Sequence, residues 1–186
     1  MKKLLFIAAL AVFGVLSVNA QEQTGGFKVG VNIGLPIQDA GDVSSFNYGA
    51  DIAYLFEVIE NLEVGGLVGY TVYNGDGKYE VYEVGEVPVV KNYKDAGFVP
   101  ISTTARYYFS DRKFFGGLDL GYAISVSGDA DGGLFIRPKF GFNFGKITLV
   151  GSFQRISGGV DYFEGGLDVV KISGFTSANF GIEFGF

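Results

Sequence analysis

The sequence predicts an all-β fold, an eight-stranded antiparallel up-and-down β-barrel of the transmembrane kind. Three observations predict it. Period-two alternation of apolar and polar residues recurs in eight segments, which is the period of a strand with two unlike faces. The connections between segments alternate between tight and long, so that all turns of one kind fall at one end of a meander. Glycines and charged residues share one face of the segments, and the large aromatics take the other.

Composition points the same way. Among 186 residues there are 30 Gly, 19 Phe and 11 Tyr but only 4 Pro. The aromatics favour strands and the glycines favour turns and close backbone packing. There is no Cys and no His. Disulfides, thiolate and imidazole metal sites, Cys nucleophiles and a Ser-His-Asp triad are therefore excluded.

The first stretch, MKKLLFIAALAVFGVLSVNA, reads as a signal peptide over residues 1–20. Lys2 and Lys3 give a basic start, Leu4 to Val18 an apolar run, and Val18-Asn19-Ala20 a small-residue site for cleavage between Ala20 and Gln21. The apolar run is short for a spanning helix of roughly 20 residues. The barrel domain is then expected over 21–186. Loss of Lys2 and Lys3 takes the formal charge from −6 to −8, an acidity that argues against binding nucleic acid.

The eight segments follow in order. In 27–35, Phe27, Val29, Val31, Ile33 and Leu35 oppose Lys28, Gly30, Asn32 and Gly34. In 46–57, Phe46, Tyr48, Ala50, Ile52, Tyr54 and Phe56 oppose Asn47, Gly49, Asp51, Ala53 and Glu57, with Leu55 an exception on the polar side. In 62–73, Leu62, Val64, Val68, Tyr70 and Val72 oppose Glu63, Gly65, Gly69 and Thr71, with Leu67 a misfit. In 99–109, Val99, Ile101, Ala105, Tyr107 and Phe109 oppose Ser102, Thr104 and Arg106. In 114–126, Leu118, Leu120, Tyr122, Ile124 and Val126 oppose Gly117, Asp119, Gly121 and Ser125. In 134–144, Leu134, Ile136, Phe140, Phe142 and Phe144 oppose Arg137, Lys139, Gly141 and Asn143. In 146–156, Ile147, Leu149 and Phe153 oppose Thr148, Ser152 and Gln154. The last run covers 173–186. Pro100 and Pro138 lie inside segments, where each removes a ladder donor; a local bulge is expected at Pro138.

Alternation alone does not say which face is buried. A soluble barrel puts the apolar face inside, and a membrane barrel inverts this. The interior of eight strands only just holds side chains, which suits the Gly-rich face. That face also balances Lys28, Arg106, Arg137 and Lys139 against Asp51, Glu57, Glu63, Asp119 and Glu183, as a closed interior requires, since a buried unpaired charge is costly. Arg or Lys at the midplane on the lipid side costs roughly 2–4 kcal/mol, and the apolar face carries only Arg155, at a loop end. Finally, Phe27, Tyr54, Phe56, Tyr107, Phe109, Phe114, Phe142, Phe144, Phe184 and Phe186 gather near the tight-turn end, as an interfacial aromatic girdle does. The expected lumen ion network comprises Lys28, Asp51, Arg106, Asp119, Arg137, Lys139 and Glu183. Phe115, Phe135 and Tyr108 point inward in the same register.

The chain ends ANFGIEFGF, with Phe180, Ile182, Phe184 and Phe186 on one face. In lipid the last strand must pair with the first, because no edge can stay open there. With the leader and the eight segments, this ending resembles the small outer-membrane β-barrel family of the OmpA/OmpX type, within the porin-like superfamily. The resemblance covers the whole mature chain and rests on pattern rather than on a sharp motif. It implies that Phe180, Ile182, Phe184 and Phe186 serve as the assembly signal read by the barrel assembly machinery. It also implies a Gram-negative outer membrane, with both termini periplasmic and lipid and lipopolysaccharide as surroundings.

The remaining motifs carry little chemistry. GDADGG at 128–133 opens like a calcium loop but lacks the later ligands and the distal Glu, so a tight polar loop is the better reading. Loops 74–98 and 157–172 read either as plain elaboration or as a surface for an extracellular partner that the sequence does not identify. In the first of them, YEVYEV and VPVV read as a hairpin that extends the third and fourth strands and turns near Gly85-Glu86. Asp51 with Asp119 forms an acid/base pair only in the abstract, and an ion network with the inward Arg and Lys is favoured. No cofactor, no metal and no enzymatic activity are expected. The functional expectation is a structural or surface-interaction role with a lumen plugged by polar side chains; the alternative is a narrow porin-like channel or small-ligand carrier.

Overall fold

The computed structural model describes residues 25–81, 89–164 and 167–186. The expected leader over 1–20, its cleavage site at Ala20 and Gln21, and the turn at Gly85-Glu86 lie outside the described residues.

Eight long strands close into a barrel: β1 (Gly25–Ile37), β2 (Ser44–Ile59), β3 (Leu62–Gly75), β6 (Ala96–Phe109), β7 (Phe114–Ser127), β8 (Gly133–Phe144), β9 (Ile147–Ile156) and β12 (Phe175–Gly185). Each pairs antiparallel with its neighbour in this series, and β12 pairs with β1 to close the ring. The intervening β4 (Lys78–Val81) with β5 (Val89–Asn92), and β10 (Val160–Glu164) with β11 (Leu167–Ile172), form two small hairpins in the long connections. The first is a separate two-stranded sheet rather than an extension of the barrel strands, because β3 ends at Gly75 and Gly77 adopts a φ of 100°. A short 3-10 helix, Gln38–Asp42, fills the first connection, an element the alternation did not announce.

Closure is continuous down the last strand. Val29 faces Phe184, Val31 faces Ile182 and Ile33 faces Phe180, and the Phe186 N–H donates to the Phe27 carbonyl at 3.0 Å. Both ends of the described barrel thus meet at the end carrying the tight turns 60–61, 110–113 and 145–146. Those turns use left-handed backbone at Asn61, at Ser110, Asp111 and Arg112, and at Gly145. Only the last is glycine, the residue for which that conformation is free of a Cβ penalty.

Pro138 is exposed on the outward face of β8, but the expected bulge is absent. The β8–β9 ladder runs from Ile136 opposite Arg155 to Lys139 opposite Ser152, skipping two rungs at constant register. Pro100 does the same between β3 and β6, where pairing passes from Val68–Ile101 to Thr71–Phe98. The missing N–H removes local pairing without inserting a residue.

The period-two alternation divides the wall cleanly. Along β1 the outward Val31, Ile33 and Leu35 are 56, 59 and 66% exposed. Inward, Leu55 and Leu67, the two misfits of the sequence pattern, are buried together with Ala53, so apolar lumen residues sit there among the charges. Tight-turn aromatics form a connected band outside: Phe109 stacks on Phe114 at 5.9 Å, Phe114 meets Phe142 at 4.7 Å, and Phe142 meets Phe144 edge-on at 4.3 Å.

Candidate functional site in the barrel lumen

Because inward positions alternate along every strand, charges far apart in sequence converge on one axis. Arg106 on β6 makes a two-pronged pair with Glu183 on β12, Nη1 to Oε2 at 2.6 Å and Nη2 to Oε1 at 3.0 Å. Arg137 on β8 donates through Nε to Asp119 on β7 at 2.7 Å and through Nη1 to Asp51 on β2 at 2.9 Å. Lys139 Nζ lies 2.7 Å from the other oxygen of Asp119. In the ring order β6 stands opposite β12, and β8 opposite β2. The Arg106–Glu183 and Arg137–Asp51 pairs therefore cross the lumen along two different diameters. All six residues are buried; Arg106 is 1% exposed and Asp119 fully covered.

Of the seven residues expected in the lumen network, Lys28 alone makes no ion pair within 4 Å among the described residues. It points inward near the tight-turn end, half-buried, within electrostatic reach of Glu63 and Glu183. The contact the sequence did not disclose is Arg112. It sits in the β6–β7 turn, where the left-handed backbone sends its side chain back under the barrel. There it pairs with Glu63, and with Glu57 at 3.3 Å, while its guanidinium lies 4.1 Å from the Tyr108 ring centroid. The Tyr108 hydroxyl donates to Glu63 at 2.9 Å. Arg112 thus brings the inward cations to five, against the five anions already read from the strands, so the lumen charge closes.

Aromatic rings seal the gaps between charges. Arg106 stacks over Phe115 at 4.7 Å and Arg137 over Phe135 at 5.5 Å, geometry that favours a guanidinium over a ring face. Room for Phe115 exists because Gly141 faces it across the β7–β8 pair: a Cβ at Gly141 would collide with that ring. An internal cavity of about 20 Å³ remains beside Gly30, Asp51, Arg137, Lys139 and Glu183, close to the volume of a single water.

Toward the long loops the lumen changes character. A belt of neutral hydrogen bonds comes first: Asn47 to Asn179 at 2.6 Å, Tyr73 with Ser177 at 3.0 Å, and Gln154 to the Tyr73 hydroxyl at 3.2 Å. Above it lies an apolar cap. Tyr73, Phe98, Phe135 and Phe175 pack with Ala40, Val43, Ile156 and Ile172, and the Phe175 ring is 5.0 Å from Tyr73 and 5.1 Å from Phe98. Beyond the inward Phe115, Phe135 and Tyr108 expected from the register, aromatic side chains also pack across the lumen at the long-loop end. Parity is the signal that would have found them: Tyr73 continues the inward series through Thr71, Phe98 precedes the outward Val99, and Phe175 lies an odd number of positions before the outward Phe180.

The loop 128–133 is polar, with Asp129 paired to Lys94 at 3.0 Å. Among the described residues no group of three acidic side chains is arranged to hold a metal ion. No family model matches the sequence, and no curated protein matches it. Among solved structures the chain is similar to the crystal structure of Neisserial surface protein A (NspA), at 15% identity and a TM-score of 0.44, over 87% of this chain and 97% of that one. The chain is an all-β, closed eight-stranded antiparallel barrel, an architecture consistent with an OmpA/OmpX-type barrel.

Proposed function

We propose that the protein is an integral outer-membrane barrel of a Gram-negative envelope, with a structural or surface-interaction role and a lumen plugged by its own side chains. One observation carries the reading. Large apolar side chains such as Ile33, Val68, Ile101, Leu120 and Phe153 are about half exposed on the wall, while Arg106, Asp119, Arg137 and Lys139 are buried inside. In water that arrangement leaves a continuous apolar girdle uncovered; in a bilayer it satisfies both solvents. The tight turns and both described ends then face the periplasm, and the hairpins β4–β5 and β10–β11 project on the other side, where an extracellular partner would meet them. The charged struts and the aromatic cap support a plug rather than an open pore.

Cell fractionation combined with heat-modifiable gel mobility tests the location and the closed barrel together. The protein is expected in the outer-membrane fraction, with a faster-migrating unboiled band. Recovery in the aqueous phase without detergent overturns the reading. In planar bilayers the purified protein is expected to be silent, and sustained openings would favour a narrow channel instead.

A further inference from the structure

We propose that Arg155, together with Gln38, forms a binding site on the outer wall of the barrel for the phosphate group of a membrane lipid; this rests on the membrane reading above. Arg155 is the penultimate residue of β9, opposite Thr176 on β12 and Ile136 on β8, and is exposed. It lies at the long-loop rim. Among the described residues of the eight barrel strands, every other Lys, Arg, Asp and Glu points into the lumen, so Arg155 is the single charge on the outward wall.

Among the described residues its hydrogen-bond partners are neutral. Nη1 donates to Gln38 Oε1 and to Thr176 Oγ1, both at 3.2 Å, and no carboxylate lies within 4 Å among the described residues. The nearby Asp39 carboxylate lies within electrostatic reach of Arg155, but its hydrogen bonds come from Ser173, from the hydroxyl at 2.6 Å and the N–H at 3.2 Å. The two neutral contacts hold the guanidinium in place while Nη2 and Nε keep donors for a ligand, the fork that suits a phosphate. Gln38 accepts through its oxygen, so its amide N–H groups remain available to the same anion. Toward the barrel middle, Phe153 and Leu35 are 59 and 66% exposed. A phosphate at the rim with acyl chains running down over those side chains matches both parts of the surface, and a free anion matches only the first.

The test uses the full-length protein in mild detergent, with retention read by native mass spectrometry. The probes are a bisphosphorylated lipid A disaccharide, the same lipid dephosphorylated, and inorganic phosphate. Wild type is expected to retain the bisphosphorylated lipid about tenfold better than the dephosphorylated one. R155Q is expected to lose that difference, with R155K and Q38A each keeping part of it. Equal retention by wild type and R155Q overturns the proposal, as does full displacement of the lipid by an equal concentration of inorganic phosphate. Heat-modifiable mobility of each variant shows whether the barrel is intact. An intact, membrane-located barrel with unchanged lipid retention refutes the site alone, whereas loss of membrane location refutes the reading beneath it.

Discussion

Arg106 and Glu183 grip each other across the full width of the lumen, with two nitrogen–oxygen contacts of 2.6 and 3.0 Å between strands that share no ladder. Ladder hydrogen bonds join only neighbours, so a cross-lumen pair is what couples opposite walls. Because both charges are buried, removing one leaves the other uncompensated. Glu183→Gln is expected to destabilise the barrel by about 3–5 kcal/mol, measured as a shifted urea midpoint in lipid vesicles. Replacing both residues by Leu is expected to restore most of the loss, and equal instability of the single and double variants would refute the strut.

Gly141 is required by the Phe115 ring beside it. Gly141→Ala is expected to cost about 1–3 kcal/mol through overpacking, seen in the same urea titration. Phe115→Leu in the Gly141→Ala background is expected to recover part of that. If Gly141→Ala alone is neutral, the close approach is not a constraint.

Ile101 is half exposed at the middle of β6, facing lipid in the proposed reading. Ile101→Arg is expected to lower folding stability in bilayers by about 2–4 kcal/mol. A neutral effect in vesicles would contradict the inverted wall.

Pro138 interrupts the β8–β9 ladder without shifting its register. Pro138→Val supplies the missing N–H at an outward position and is expected to stabilise the barrel by about 0.5–1.5 kcal/mol. Hydrogen exchange at residue 138 should then show a protected amide; an unprotected one would mean the rung cannot form.

Asp39 ties the short helix after β1 to the loop before β12 through Ser173. The hydrogen bonds from the Ser173 hydroxyl and N–H hold its carboxyl below the ordinary value of 3.8. A carboxyl with a lowered folded-state pKa supports the fold above its unfolded pKa, and that support disappears as pH falls through the folded value. The tether is therefore expected to persist at neutral pH and to release under acid, below pH 3.8. The Ser173 amide shift, followed by NMR during acid titration, should move with Asp39 and not in Asp39→Asn.

The sequence by itself determined which residues face which way along most of each strand, because a strand has only two faces and a period of two admits no intermediate position. Parity puts Asp51, Arg106, Asp119, Arg137, Lys139 and Glu183 on one face of their strands. The count of alternating segments and their connections gives strand number and antiparallel order, and charge balance with the narrow lumen turns that face inward. Tertiary structure decided what parity cannot carry. Which cation meets which anion depends on how closure sets strands opposite one another, so the diametric pairs Arg106–Glu183 and Arg137–Asp51 have no signature in the local sequence. Arg112 lay hidden in a turn, where alternation stops and backbone handedness aims the side chain. Tyr73, Phe98 and Phe175 take inward positions by parity, but they sit near strand ends beside the long loops, and nothing local shows that they pack together. Their burial follows from the ring of walls around them rather than from the residues beside them in the chain.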